Sequence, residues 1–200
     1  MINNIIKFAN AFEEAAYKER IYFNNLLKVY PNLFSEDKWI IDQTHYTDYT
    51  RYDYVLWSKA NLYKRFIVEI KIRSEAYDNY VYETKKHKDL MKVKNLSPDD
   101  IGILYINSTP NGTYIWNIDK IIDNYKPIVK EMNIATMASR TDKEDKKVYM
   151  LDPKDATHYQ FHFDEKQFNK YIESIKIEEE KKRRAIEGEK MTIEKLLFGK

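Results

Sequence analysis

Along residues 65–73, "RFIVEIKIR", apolar and polar side chains alternate over most of the run. Successive side chains of a strand point to opposite faces. Phe66, Val68, Ile70 and Ile72 therefore share one face, and Ile67, Glu69, Lys71 and Arg73 the other. The first face suits a core. The second sets an acid and two bases in succession, about 7 Å apart along the strand. A different period runs through "NNIIKFANAFEEAAYKERIYFNNLLKVY", where Phe8, Phe12, Ala16, Phe23, Leu26 and Tyr30 recur at helical spacing. This predicts a helix ended by Pro31. Glu19 falls inside its apolar stripe, and Glu13 and Glu14 lie near the edge.

"KWIIDQTHYT" and "YDYVLWS" read as strands, followed by a turn at "KANLYK" that leads into the opening strand. These three predict an antiparallel meander. "NYVYETKKHKDLMKV" reads as a second helix, stopped before Pro98. "IGILYINS" reads as a central strand, "PNG" as a turn and "TYIWNI" as the next strand. "DKIIDNYKPIVKEM" begins as a helix that Pro127 breaks. Residues 133–147 read as a polar loop, and "KVYML" and "THYQFHF" as short strands. From "DEKQFNKYIESIK" onward a long charged helix carries a sparse stripe of Phe168, Tyr171, Ile172, Ile175 and Ile186. Helix, three strands, helix and strand in that order predict an α/β sheet flanked by helices. The expected boundary separates residues 1–164 from a charged helical extension, 165–200.

Composition narrows the chemistry. The 200 residues are 43% hydrophobic and 33% charged, enough for one globular domain with a real core. Only four glycines and no Gly-rich phosphate motif argue against nucleotide-binding loops. The absence of cysteine excludes disulfides, thiolate nucleophiles and cysteine zinc sites. No apolar run approaches a membrane span, and "MINNIIKFANAFEE" lacks the apolar core of a signal peptide, so a cytoplasmic protein is expected. Net charge is +2, too small to imply nucleic acid by itself. Residues 59–94, however, hold ten Lys/Arg against five acids, which leaves −3 for the rest of the chain. A solvated charged face explains that window as well as a polyanionic partner does.

Glu-x-Lys occurs six times, starting at Glu36, Glu69, Glu83, Glu144, Glu179 and Glu180, so the triplet alone says nothing. Only the Glu69 copy lies in a strand-like alternating run. A second carboxylate, Asp53, heads "YDYVLW", and the turn between the two strands would bring it toward Glu69. Mg²⁺ takes hard oxygen ligands at about 2.1 Å and keeps several waters. Two carboxylates and the Ile70 carbonyl form such a set. Lys71 beside it would offset charge on an attacking water or a pentacovalent phosphate.

Asp53 followed by Glu69-Ile70-Lys71, with fifteen residues between Asp and Glu, resembles the motif of the PD-(D/E)XK nuclease superfamily. The resemblance covers roughly residues 5–120. It implies a restriction-endonuclease-like fold: a helix, a three-stranded meander, a helix and a strand. It implies the catalytic set Glu19, Asp53, Glu69, Lys71 and Lys86. Glu19 on the first helix would join Asp53, Glu69 and the Ile70 carbonyl on Mg²⁺, with Mn²⁺ as substitute. Lys86 on the second core helix, with Lys85 as runner-up, fills the family's further basic position. The family's chemistry is in-line hydrolysis of DNA that leaves a 5′-phosphate, and many relatives dimerise to cut two strands. One departure is Tyr52, where the motif has Pro before Asp53.

Arg51, Arg73, Lys85 and Lys86 are candidate DNA contacts. Plainer roles stand beside these: a solvated strand pair for Glu69 and Lys71, a turn for Asp53, a half-exposed helix position for Glu19, surface for Lys86. The alternative to an endonuclease is a module that keeps the fold and binds nucleic acid or protein without catalysis. His158 and His162 have helical metal-site spacing, but "THYQFHF" alternates, which sets them a full strand repeat apart. The aromatic run "THYTDYTRYDY" suits either a tyrosine-rich sheet face or stacking on bases.

Overall fold

The computed structural model describes residues 11–44, 52–97, 100–133 and 143–198. Helix α1 (Ala11–Val29) precedes β1 (Trp39–Gln43), β2 (Tyr54–Ser58) and β3 (Lys64–Ile72). These strands form the expected antiparallel meander, with Ile41 opposite Leu56 and Leu56 opposite Phe66. After β4 (Tyr80–Glu83) and α2 (Thr84–Asn95), β5 (Asp100–Thr109) lies parallel to β3 along its whole length. Parallel neighbours need a long crossover, which α2 supplies. A tight turn then returns the chain as β6 (Gly112–Asn117). Its Gly112 has φ 125°, a left-handed conformation that favours glycine. There follow α3 (Ile118–Ile121), β7 (Ile128–Asn133), β8 (Lys143–Leu151), β9 (Thr157–Tyr159) and α4 (Glu165–Phe198).

One sheet has the order β1-β2-β3-β5-β6-β9, and a second β4-β8-β7. Helix, meander, helix and parallel strand thus follow the restriction-endonuclease-like order expected from the sequence. The chain divides into two compact units, one containing both sheets and one built on α4. Among the described residues no helix is long and apolar enough to cross a membrane.

The alternation of β3 divides the core in two. Val68 and Ile70 join Tyr22, Phe23 and Leu26 of α1, with Tyr54, Leu56, Leu104, Ile106 and Ile115, on one face. Ile67 joins Tyr80, Tyr82, Leu90, Ile103, Tyr105, Trp116 and Leu151 on the other. Each face buries several large side chains, worth about 1.5–3 kcal/mol apiece as an upper estimate. On the first face Phe66 lies over Gly102, directly opposite it in the register.

Three expectations are corrected. Tyr80–Glu83 is a strand rather than the start of α2: Tyr80 and Tyr82 are buried in alternation, and the run pairs with β8. The segment after Pro127 is β7 rather than a broken helix, because Ile128–Asn133 pairs with Lys143–Val148. Consequently the expected loop contributes residues to both strands, while 134–142 lie outside the described residues. The strand in "THYQFHF" stops at Tyr159, so the expected spacing of His158 and His162 along one strand does not arise.

A methyl group on Gly102 would overlap the Phe66 ring. Gly102→Val is therefore expected to destabilise the fold by about 1–3 kcal/mol, read as a lower urea midpoint at unchanged slope.

Candidate active site

The site forms where β2 and β3 part. The last β2–β3 pair is Tyr54 with Val68, and the Asp53 N–H donates to the Val68 carbonyl at 2.8 Å. Two residues further along β3, the Ile70 N–H has no β2 residue opposite. It donates to Asp53 Oδ2 at 2.7 Å, so a side chain takes over where the backbone ladder ends. Thr44 fixes the same residue from behind: its N–H and hydroxyl both donate to the Asp53 carbonyl, at 3.1 and 3.0 Å. The N–H and C=O of one strand residue point to the same side. The Ile70 carbonyl therefore faces the Asp53 side as well.

Glu69 is 2% exposed. A buried carboxylate costs several kcal/mol unless it is paired, and here both oxygens are paired. Lys71 Nζ lies 2.9 Å from Oε1 and Lys86 Nζ 2.8 Å from Oε2. Lys71 Nζ also donates to Glu19 Oε1 at 3.2 Å. Glu19 comes from α1, which Tyr22, Phe23 and Leu26 seat on the sheet one turn further on. The Tyr54 hydroxyl donates to the Arg20 carbonyl at 3.4 Å, tying that turn to β2. Lys86 sits in the first turn of α2, four residues before buried Leu90, so the two share a helix face. Three elements and the residue heading β2 thus bring Glu19, Asp53, Glu69, Lys71 and Lys86 to one place.

The other candidates are elsewhere. Lys85 is exposed on α2, and Arg51 lies outside the described residues. Arg73, just past β3, donates from Nε to Asn107 Oδ1 at 3.3 Å and from Nη2 to the Tyr105 hydroxyl at 3.4 Å. The basic window does not form one patch. Lys59 and Lys64 lie at the β2–β3 turn, the opposite end of those strands from Asp53, and Lys94 pairs with Asp119 at 2.5 Å. Of "THYTDYTRYDY", only Thr44 and residues 52–54 are described.

The charges are unequally compensated. Burial and the charges of Glu69 and Glu19 push the Asp53 carboxyl well above the usual range, against the pull of Lys71 and the Ile70 N–H. Burial likewise raises Glu19, with Lys71 opposing. Burial also acts to raise Glu69, but Lys71 and Lys86 outweigh it and hold the group below its ordinary value. Lys71 goes well above the lysine value: burial acts to lower it, but Glu19, Glu69 and Asp53 prevail. In this arrangement the three carboxylates thus favour the ammonium form of Lys71. Three carboxylates against two ammonium groups leave one negative charge in excess, and Asp53 bears most of the cost.

Those groups suit a hard divalent cation in donor type. Their present spacing is that of an ammonium-bridged site. Among the described residues no three acidic or imidazole side chains stand close enough to ligate one ion. Lys71 Nζ occupies the position between Glu19 and Glu69. Ligation of one ion by these carboxylates therefore requires that ammonium to give up a partner.

Asn107 and Tyr105 were not among the candidates. Both lie in the C-terminal half of the strand parallel to β3, on the face of Glu69 and Lys71. Polar residues closing the otherwise apolar "IGILYIN" were the available signal.

No protein-family model and no curated protein matches the chain. Among solved structures the chain is similar to Hjc, a Holliday junction resolvase from the archaeal hyperthermophile Archaeoglobus fulgidus. The identity is 10% and the TM-score 0.42, over 70% of this chain and 91% of that one.

A carboxyl whose pKa is raised by folding favours the folded state at low pH, and that contribution is lost as pH rises through the raised value. Asp53→Asn stays neutral at every pH and still accepts from the Ile70 N–H. It is expected to raise the melting temperature of the metal-free protein at pH 8 by a few degrees. Near pH 4, where the raised Asp53 is already protonated, it is expected to change little. Equal shifts at both pH values would count against a surplus buried charge.

Proposed function

We propose that the chain is a divalent-metal-dependent nuclease that hydrolyses phosphodiester bonds in DNA. The reading rests on one observation: buried Glu69 shares Lys71 with Glu19, while Asp53 closes on the next residue of the same strand. Asp53, Glu69, Glu19 and the Ile70 carbonyl would hold the cation. When bound, a divalent cation lowers the pKa of its water and offsets charge on phosphate. Lys71, as an ammonium, donates a hydrogen bond to the attacking water or a phosphate oxygen and stabilises the charge that develops there. Lys86 holds Glu69 ionised and oriented. Water adds at phosphorus as the P–O3′ bond breaks; the water gives up one proton, the departing 3′-oxygen takes one up, and the products are a 5′-phosphate and a 3′-hydroxyl. The charged helix beyond residue 164 is assigned to a separate extension and is the candidate contact for a second copy.

A second reading has its own support. Both Glu69 oxygens are taken by lysines, as in a chain that binds DNA without cutting it.

Cleavage of supercoiled, linear, single-stranded and branched DNA with Mg²⁺ or Mn²⁺ separates the two. Glu69→Gln is expected to abolish cutting. Lys71→Gln is expected to slow it by about 10²–10³-fold with DNA binding retained. No cutting of any substrate, with equal DNA binding by all three proteins, would leave the binding-module reading.

A further inference from the structure

Strand register carries a line of side chains away from the site. Lys71 on β3 is opposite Asn107 on β5, Asn107 is opposite Tyr114 on β6, and Tyr114 is opposite His158 on β9. Asn107 and Tyr114 follow Tyr105 and precede Trp116 by two residues, so both lie on the face that also carries Glu69 and Lys71. Neighbouring strands are about 4.8 Å apart, so three steps take the row about 14 Å from Lys71 to His158.

The far end of this row is a column of rings. Trp116, 0% exposed, stacks on half-buried Tyr114 with centroids 5.9 Å apart and planes at 27°. Tyr114 in turn stacks on His158 at 4.6 Å and 30°. His158, the outermost ring of the column, is exposed. Its orientation is set. Nε2 lies 3.0 Å from the Asn111 carbonyl, which can only accept, so that nitrogen carries the hydrogen. Beneath the ring is Gly112, where any side chain would overlap Nε2. Tyr80 supports Tyr114 from the core side, with centroids 5.1 Å apart.

Between the column and the site lies Arg73. Among the described residues its side-chain hydrogen bonds are those to Asn107 and Tyr105, and a guanidinium has five donors. Asn107 is fully buried and its Nδ2 has no hydrogen-bond partner among the described residues. Its Oδ1 is spent on Arg73. It acts as a positioning residue that holds the guanidinium beside Lys71, with donors left for a phosphate.

We propose that Trp116, Tyr114 and His158 form a stacking platform for an unpaired nucleobase of the substrate, with Arg73 on a backbone phosphate between that base and the cleavage site. The proposal rests on the nuclease reading for the direction of the strand. A ring stack that ends on an exposed imidazole, in line with a positioned cation, suits alternating base and phosphate. A duplex keeps its base faces covered, so the platform selects DNA with single-stranded character near the cut. At the 3.4 Å rise of a stacked strand, 14 Å is about four nucleotides, and fewer if the strand is stretched.

The test uses the full chain carrying Glu69→Gln, so that nothing is cut, and oligonucleotides with a single 2-aminopurine at successive positions. Binding is expected to quench the probe at one position within about four nucleotides of the cut. His158→Ala is expected to weaken single-strand binding by about 5- to 100-fold, abolish that quench and weaken duplex binding far less. His158→Phe is expected to restore both readouts. Quenching that survives His158→Ala, or an equal loss for single strands and duplex, would overturn the platform. Cleavage by the parent chain reports separately. Cutting that treats duplex and single strands alike would sink the platform and leave the nuclease, whereas His158-dependent quenching without cutting would do the reverse.

Discussion

A single ammonium group decides the electrostatics of this protein. Lys71 lies between the carboxylates of Glu19 and Glu69, from a helix and a strand that would otherwise repel each other across a buried space. Coulomb attraction at about 3 Å is strong where water is scarce, but burying ions costs several kcal/mol each. The balance is favourable for Glu69, which has two cations, and unfavourable for Asp53, which has a backbone N–H and a share of Lys71. A fold selected for stability alone would replace Asp53 with a neutral side chain. Retention of the extra charge is intelligible if a further cation belongs among these oxygens.

The rest of the architecture serves that arrangement. Pairing between β2 and β3 ends at Tyr54 and Val68, which frees Asp53 to cap the Ile70 N–H. The parallel β3–β5 pair runs through the middle of the six-stranded sheet, so Glu69 is backed by apolar side chains on both faces. Helix α1 lies over one face and delivers Glu19. Helix α2, fixed by buried Leu90, delivers Lys86 from the other side.

Much of this was legible in the residues. The period-two run of β3 set Glu69 and Lys71 on one face together, although Ile67 on that face is core as well, and the helical stripe of α1 singled out Glu19 as an acid on an apolar face. What failed was the reading of short apolar runs beside helix formers. "YVYE" runs straight into a helical pattern, and its identity as a strand depends on β8, more than sixty residues later. Likewise "IVKEMN" has no alternating apolar face of its own and becomes a strand only through its hairpin with β8. Long-range pairing outweighs local propensity in both cases. Asn107 was only partly legible: a polar residue closing "IGILYIN" was a local signal, but its place beside Lys71 follows from a parallel register that no local pattern encodes.

The central claim is that the carboxylate cluster is a cation site held closed by lysine. Calorimetric titration with Mn²⁺ in the absence of DNA tests it most directly, on the parent chain and on Glu69→Gln. Saturable binding by the parent chain is expected, with a melting temperature that rises with Mn²⁺ concentration, and loss of both in the variant. Indistinguishable titrations of the two proteins, whether both bind or neither does, would contradict it.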